Sequence, residues 1–459
     1  MASHAIGYIG RINDTELKKI ESSGVASNYK GSEHIGKLGI EGSFEAELHG
    51  ITGSEQVEID AGGRAIRSLA RTEPTSGNNL VTTIDIKLQQ LVEKAFKDSR
   101  GTLVAIEPST GDILALVSQP RFDPNLFVDG IDPINWDALN TSIDRPLFNR
   151  ALKGAFPPGS TLKPFLALSA LESGKRTPEF AIRDAGYFAI PGVHRWMDDK
   201  VGGHGTVDMY KSIVESCNTY YYQLAFETDI DTTAAFLGKL GIGTKTGIDI
   251  DGEVDGILPS RKWKEKRFAK SSSEARKWYT GDSVSAGIGQ GYNAYTALQM
   301  AHATATIAND GLASQPRLVR QIKDATSGAT KDVPPILNRV ALQPENIAVI
   351  KRSLEGVVKE GTSARVFTKA AYVSAGKTGT AQVFGLKGDK YVAGKVAERL
   401  RDHAWYIAYA PADKPVIALA VLVENAGFGA SSAAPIAKEV FDYYLDRKAA
   451  NPPKEGAAK

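Results

Sequence analysis

The sequence predicts an α+β protein: an antiparallel sheet built from hairpins at the two ends of a large domain, with helices between them. Three observations lead there. "GTLVAIEPSTGDILALVSQP" (101–120) is two apolar strands around a Pro-Ser-Thr-Gly-Asp turn. "HAWYIAYAPADKPVIALAVLVEN" (403–425) repeats that design around a short polar turn. Between them, apolar residues recur at helical spacing in "YTALQMAHATATIANDG" (295–311) and "PENIAVIKRSLEGVVKEG" (344–361), the first closed by Asn-Asp-Gly.

The other elements follow in chain order. Residues 1–76 are rich in Gly, Ser and short alternating stretches such as "SFEAELHG" and "EQVEIDAGGRAIRSLA", which read as strands and turns. "TEPTSGNN" (72–79) reads as a hinge. "LVTTIDIKLQQLVEKAFKDS" opens as a strand and continues as an amphipathic helix, with Ile86, Leu88, Leu91, Val92, Ala95 and Phe96 to one side and Asp85 as its cap. Residues 176–290 mix short helices with Gly-rich loops. "SSAAPIAKEVFDYYLDRK" is a closing helix, and "AANPPKEGAAK" is expected to be disordered. The division is a β-rich module at 1–76, a large domain at 77–448 and a tail at 449–459, without internal repeats.

The chain has 459 residues, 42% of them hydrophobic and 24% charged, enough for a sizeable core and unlike a disordered chain. A formal net charge of +2 gives no reason to expect a nucleic-acid partner. "RKWKEKRFAK" (261–270), interrupted by Glu265, reads as a solvated loop face. The single cysteine, Cys217, excludes an intramolecular disulfide. No run of about 18 apolar residues marks a membrane span, and "MASHAIGYIGRIND" lacks the basic-then-apolar pattern of a signal peptide. Taken alone, this describes a soluble cytoplasmic protein or a chain whose targeting segment has been removed.

The chemistry centres on "AFPPGSTLKPFLALSALESGK" (155–175). A proline inside a helix clashes with the carbonyl four residues back, so Pro164 belongs to a first turn and Ser160 to the helix start. Gly159 lets the chain bend into it. Residues three apart share a helix face, so Lys163 can reach Ser160. A serine hydroxyl needs a base to become a nucleophile, and a lysine serves if burial or charge lowers its pKa. The backbone N–H groups at the helix start suit an oxyanion. "ESCNTYYYQLA" adds Ser216 and Asn218 ahead of an aromatic helix-compatible stretch, and "VSAGKTGTAQV" adds Lys377, Thr378 and Gly379 on a strand-like segment. A second Lys-Thr-Gly, Lys245–Gly247 in "GIGTKTGIDIDGE", sits in a Gly-rich turn and reads as a loop.

Ser-x-x-Lys, Ser-x-Asn and Lys-Thr-Gly in this order are the signature of penicillin-binding proteins and class A β-lactamases. From the first hairpin to the last helix the chain resembles a class B penicillin-binding protein, a serine D,D-transpeptidase of bacterial wall synthesis. "GKLGIEGSFEAELHG" resembles the family's pedestal. "GGHGTVDMYKSIVESCNTYYYQLA" and "GIGTKTGIDIDGEVDGILPS" are most similar to the elongation-specific branch, with the septal branch as alternative. The resemblance implies a transpeptidase fold with a truncated dimerisation-like pedestal. It also implies a place at the periplasmic face of the inner membrane, with the family's N-terminal anchor absent here.

It further implies the roles of residues. Ser160 attacks the penultimate D-alanine carbonyl of a stem peptide and Lys163 takes its proton. Ser216 and Asn218 relay that proton and hold the substrate. Lys377 adds positive charge, and Thr378 and Thr380 bind the terminal carboxylate; Gly379 completes this substrate-binding set, and the small residues before and after Lys377 let a substrate backbone lie close. The Ser160 and Thr380 amides form the oxyanion hole. No cofactor is needed. The implied partners are peptidoglycan stem peptides, β-lactam antibiotics, and the membrane glycosyltransferase of the rod system with its activator. Rival readings are a β-lactamase, a D,D-carboxypeptidase, and a β-lactam sensor or scaffold with a retained pocket.

Cys217 also suggests a structural zinc site. "RDAGYFAIPGVHRWMDDKVGGHG" supplies Asp184, Asp198 and His204, and cysteine, histidine and two carboxylates make a closed tetrahedral set. Some relatives of the family have such a site. Asp199 or His194 could replace a named ligand, and a buried free cysteine beneath a polar loop is the other reading. On a helix, Cys217 would face beneath the catalytic surface.

Overall fold

The computed structural model describes residues 1–192, 194–383 and 396–450. In the N-terminal module β1 (Tyr8–Arg11) pairs antiparallel with β2 (His34–Leu38), and β3 (Ser54–Ile59) with β4 (Ala65–Thr72). "SFEAELHG" is not a strand: Gly39–Ser43 and Glu45–Leu48 are short helices. Eight residues are too few to separate the two periodicities, and tertiary contacts decide. The Glu45 carboxylate accepts bonds from the Gly36 amide (2.8 Å) and the Tyr29 hydroxyl (2.9 Å), which turns the chain there.

After β5 (Asn79–Thr82), Asp85 accepts from the Lys87 and Leu88 amides at 3.1 and 3.2 Å and caps α1 (Ile86–Ala95). Leu88, Val92 and Phe96 are buried as the pattern requires, whereas Ile86 is exposed. The hairpin strands β6 (Gly101–Ile106) and β7 (Ile113–Gln119) follow. The helical region then supplies α2 (Lys163–Glu172), α3 (Met209–Val214), α4 (Asn218–Glu227), α5 (Ala297–Ala308) and α6 (Pro344–Lys359). The chain returns to the sheet with β8 (Ala375–Ala381), β9 (His403–Ala410) and β10 (Ile417–Val423), and closes with α7 (Gly429–Ala450).

The five-stranded sheet has the order β8-β9-β10-β6-β7 and is antiparallel throughout. Covering both faces explains the uninterrupted apolar runs in its strands. On one face Leu103, Ala105, Leu419 and Val421 pack with Leu88 and Val92 of α1 and Val440 and Phe441 of α7. On the other, Val104, Ile106, Ala420 and Leu422 pack with Phe165 of α2 and Leu298 and Ala301 of α5. The wholly buried α5 starts at a Thr296–Gln299 capping box. Strand β8 pairs on one side only, so its other edge faces the helical region.

Two further expectations need correction. Residues 261–267 form a helix, and its Lys264 is buried, ion-paired with Asp282 and enclosed by the rings of Trp278, Tyr279 and Tyr292. Three facing rings and one carboxylate offset the loss of water around that ammonium. Residues 449 and 450 end α7, and 451–459 lie outside the described residues. Among the described residues no helix is long and apolar enough to cross a membrane.

The sheet is tied to the Ser160 region through charge. Arg150, with 4% of its side chain exposed, donates from Nε to Glu424 just beyond β10 (2.7 Å) and to the carbonyls of Asp144 and Arg145. Removing the carboxylate strands a buried guanidinium. Glu424→Ala is therefore expected to lose about 3 kcal/mol of stability, measured as a lower melting temperature than wild type, with Glu424→Gln losing less.

Candidate active site

Ser160 lies in a 3-10 turn, Gly159–Leu162, that runs directly into α2. Pro164 occupies the first turn of α2, as the sequence requires. In a 3-10 turn residues i and i+3 eclipse, which places Ser160 and Lys163 on one side. Gly159 has φ +55° and donates to the Gly289 carbonyl at 3.0 Å; a Cβ on it would stand 2.3 Å from the Thr380 oxygen of β8. A Cβ on Gly379 would meet the Pro158 oxygen at 2.8 Å. The turn and the strand edge thus touch backbone to backbone.

Lys163 is fully buried. Its Nζ donates to the Ser216 carbonyl and to Asn218 Oδ1, both at 2.6 Å, and approaches Ser216 Oγ at 3.3 Å. The Tyr221 ring lies beneath it at 5.4 Å. Among the described residues Lys163 makes no hydrogen bond to Ser160. Burial lowers the Lys163 pKa to about 8, against a raising influence from Asp199 and Asp198. A neutral amine has two hydrogens and one lone pair. The two short bonds use the hydrogens, leaving the lone pair to accept a proton.

Ser216 is left-handed, with φ +60°, which a non-glycine residue holds only when its surroundings demand it. That turn directs its carbonyl to Lys163. Asn218 begins α4, and Cys217 precedes it as the N-cap without being part of the helix. The expectation that Cys217 sits on a helix is thus corrected. The cap comes from Asp198, whose carboxylate accepts from the Thr219 amide at 2.9 Å.

Lys377, Thr378, Gly379 and Thr380 all lie on β8. Lys377 is fully buried and donates to the Thr378 carbonyl at 3.1 Å. Burial, and then repulsion from Lys163, lower its pKa far below the ordinary lysine value. Gln290 Nε2 donates to the Thr380 oxygen at 3.1 Å, on the side of the strand away from β9. A strand residue's N–H and C=O share an edge, so the Thr380 amide also faces the Ser160 turn. Lys245, Thr246 and Gly247 belong to no strand. Gln290 and Thr362, whose hydroxyl lies 2.7 Å from that of Thr378, escaped the sequence reading. Only "GIGQG" around Gln290 marks a tight turn, and no local signal marks Thr362.

Beneath this surface the donor atoms of Asp184, Asp198, His204 and Cys217 all lie within 4.8 Å of one another. Cys217 Sγ stands 3.5 Å from each carboxylate, and His204 Nδ1 is 2.8 Å from Asp184. Burial, and then the Asp198 charge, push the Cys217 thiol well above its ordinary value. His194 and Asp199 are outside this group.

The description "Penicillin binding protein transpeptidase domain" matches residues 101–442, most of the chain. The chain belongs to the penicillin-binding protein transpeptidase family. Residues 1–82 match the penicillin-binding protein dimerisation domain, which makes the chain a class B member. It is 40% identical over 452 residues to the peptidoglycan D,D-transpeptidase MrdA of Haemophilus influenzae, covering 97% of this chain and 68% of that protein. It superposes on Pseudomonas aeruginosa PBP2 in complex with WCK 5153 at a TM-score of 0.83 and 40% identity, over 99% of this chain and 91% of the other. It also superposes on Helicobacter pylori PBP2 in its complex with MreC at 0.84 and 29% identity, over 97% and 77%.

A lysine acts as a base only when neutral. Serine acylation by a penicillin is therefore expected to accelerate as pH rises and to level off above about 8. Lys163→Arg, which keeps its proton, should stay slow throughout. Stopped-flow acylation across pH 6–10 checks both.

Proposed function

We propose that the chain is a serine-type peptidoglycan D,D-transpeptidase of the elongation machinery and that Ser160 is its acylated nucleophile. The supporting observation is the fully buried Lys163 beside the Ser160 turn, with both amine hydrogens engaged by Ser216 and Asn218. The stem peptide lies along the open edge of β8 and extends the sheet. Lys163 accepts the Ser160 proton as Oγ attacks the penultimate D-alanine carbonyl. The Ser160 and Thr380 amides hold the oxyanion. The proton passes by way of Ser216 to the departing D-alanine amine, and an acyl-serine ester remains. The Thr378 and Thr380 hydroxyls hold the carboxylate, whose negative charge favours the protonated form of the buried Lys377. The amine of a second stem peptide then attacks the ester and loses a proton to Lys163, which returns it to the departing Ser160 oxygen, leaving a new peptide bond and a free hydroxyl. These steps need no cofactor. A β-lactam opened by the same attack leaves a persistent ester.

Stem peptides lie outside the inner membrane, so this chemistry belongs at its periplasmic face. An MreC-type activator and a rod-system glycosyltransferase are the partners that the family resemblance supports.

The buried cysteine, histidine and two carboxylates fit a tetrahedral zinc ion, which would bring Cys217 to the thiolate and neutralise two adjacent buried carboxylates. Asp184, Asp198, His204 and Cys217 would hold it, bracing the Ser216 turn from below without taking part in acyl transfer.

Two outcomes are expected. Peptide mapping after penicillin treatment should find a lasting adduct on Ser160 and none in Ser160→Ala. Rapid loss of the adduct to water would instead indicate a β-lactamase. Elemental analysis of protein purified without chelator should find about one zinc per chain, and Cys217→Ser should lose both the metal and thermal stability. Metal-free protein with a freely reactive Cys217 thiol would exclude the site.

A further inference from the structure

Thr362 stands between α6 and β8, 16 residues ahead of Thr378 and outside every motif of the site. Its Oγ1 lies 2.7 Å from the Thr378 Oγ1, and its amide donates to the Val214 carbonyl at 3.3 Å, two residues before Ser216. The preceding Gly361 packs so closely that a Cβ there would stand 2.5 Å from that same carbonyl. The Ser216 turn and the Lys-Thr-Gly strand are therefore bridged by one short segment. Thr378 is buried and Thr362 is exposed.

A hydroxyl has one hydrogen and two lone pairs. At 2.7 Å one of the two threonines must donate to the other. If Thr378 donates to Thr362, its lone pairs face the cleft and repel an incoming carboxylate. If Thr362 donates to Thr378, the Thr378 hydrogen is free to point at the anion, and the two bonds polarise each other in series. A carboxylate ligand selects the second arrangement. We infer that Thr362 is a positioning residue: it turns the Thr378 hydroxyl toward the substrate carboxylate and so sharpens selection for a free C-terminal acid. This rests on the proposed role of Thr378 in carboxylate binding.

The test compares second-order acylation rate constants for a penicillin with a free carboxylate and for its methyl ester. Thr362→Val removes the donor and is expected to slow the free acid about tenfold, equivalent to about 1.4 kcal/mol, while changing the ester less than about twofold. Thr362→Ser should restore the preference for the acid. In a Thr378→Val background, Thr362→Val should cost nothing further, because the two act as a unit. Melting temperatures should stay level, and Thr362→Ala replaces Thr362→Val if the valine variant fails to fold. Equal slowing of acid and ester would reduce Thr362 to scaffolding and overturn the inference. So would an undiminished preference for the acid, or an additive loss in the Thr378→Val background. If Thr378→Val itself leaves the acid preference intact, the carboxylate role of Thr378 falls and the inference with it. If Thr378→Val abolishes that preference but Thr362→Val does not, only the inference falls.

Discussion

The backbone contact between the Gly159–Leu162 turn and strand β8 is the constraint on which the rest of the site depends. It is steric before it is chemical. Gly159 faces the Thr380 oxygen, Gly379 faces the Pro158 oxygen, and a Cβ on Gly289 would stand 2.1 Å from the Gly159 oxygen. A Cβ on Gly429, the first residue of α7, would fall 2.5 Å from the Gly379 oxygen. Four glycines from distant parts of the chain thus converge on one junction. Larger residues would force Ser160 away from strand β8.

That junction sets the electrostatic problem. Lys163 and Lys377 are both buried and close enough to repel each other. Desolvation disfavours the charged form of each. The protein answers asymmetrically. Lys163 is held by a carbonyl and an amide oxygen, acceptors that suit a neutral amine and carry no charge of their own. Lys377 turns back on its own strand. Among the described residues neither lysine makes an ion pair, and Asp198, whose charge Lys163 feels, caps α4. The left-handed Ser216 turn goes with this arrangement: at φ +60° its carbonyl accepts from Lys163 at 2.6 Å.

Legibility in the sequence followed whether a local pattern announces the interaction. The two hairpins, the Asp85 cap and the placement of Pro164 were readable because each is marked locally, by apolar runs around a turn, a capping residue ahead of a helix or a proline confined to a first turn. The true Lys-Thr-Gly could be told from its duplicate by local context, strand against Gly-rich turn. The donor group around Cys217 was readable as residue chemistry, although the cysteine proved to be a cap and not a helical residue. What escaped depends on partners on other elements that no local pattern marks. Lys264 reads as a solvated charge until Asp282 and three rings close over it. The helices at 39–48 depend on Tyr29 and Gly36. Thr362 has no motif, only a neighbour on another element.

The strand order carries a consequence for biogenesis. Strand β6, made early, lies against β10, made near the end: Gly101 sits opposite Val423 and Ile106 opposite Ala418. Among the described residues strand β8 has β9 as its sole partner in the sheet. During synthesis, the serine turn and α4 therefore exist long before the sheet edge they serve can form. Contacts this distant in sequence slow folding and leave apolar faces uncovered in the interim. A chain interrupted just after Thr380 would contain every signature residue and still be catalytically void, since neither β9, β10 nor α7 would be there to hold the edge in place. The last stretch of chain, which carries none of the three signature motifs, holds in place the strand that carries the third.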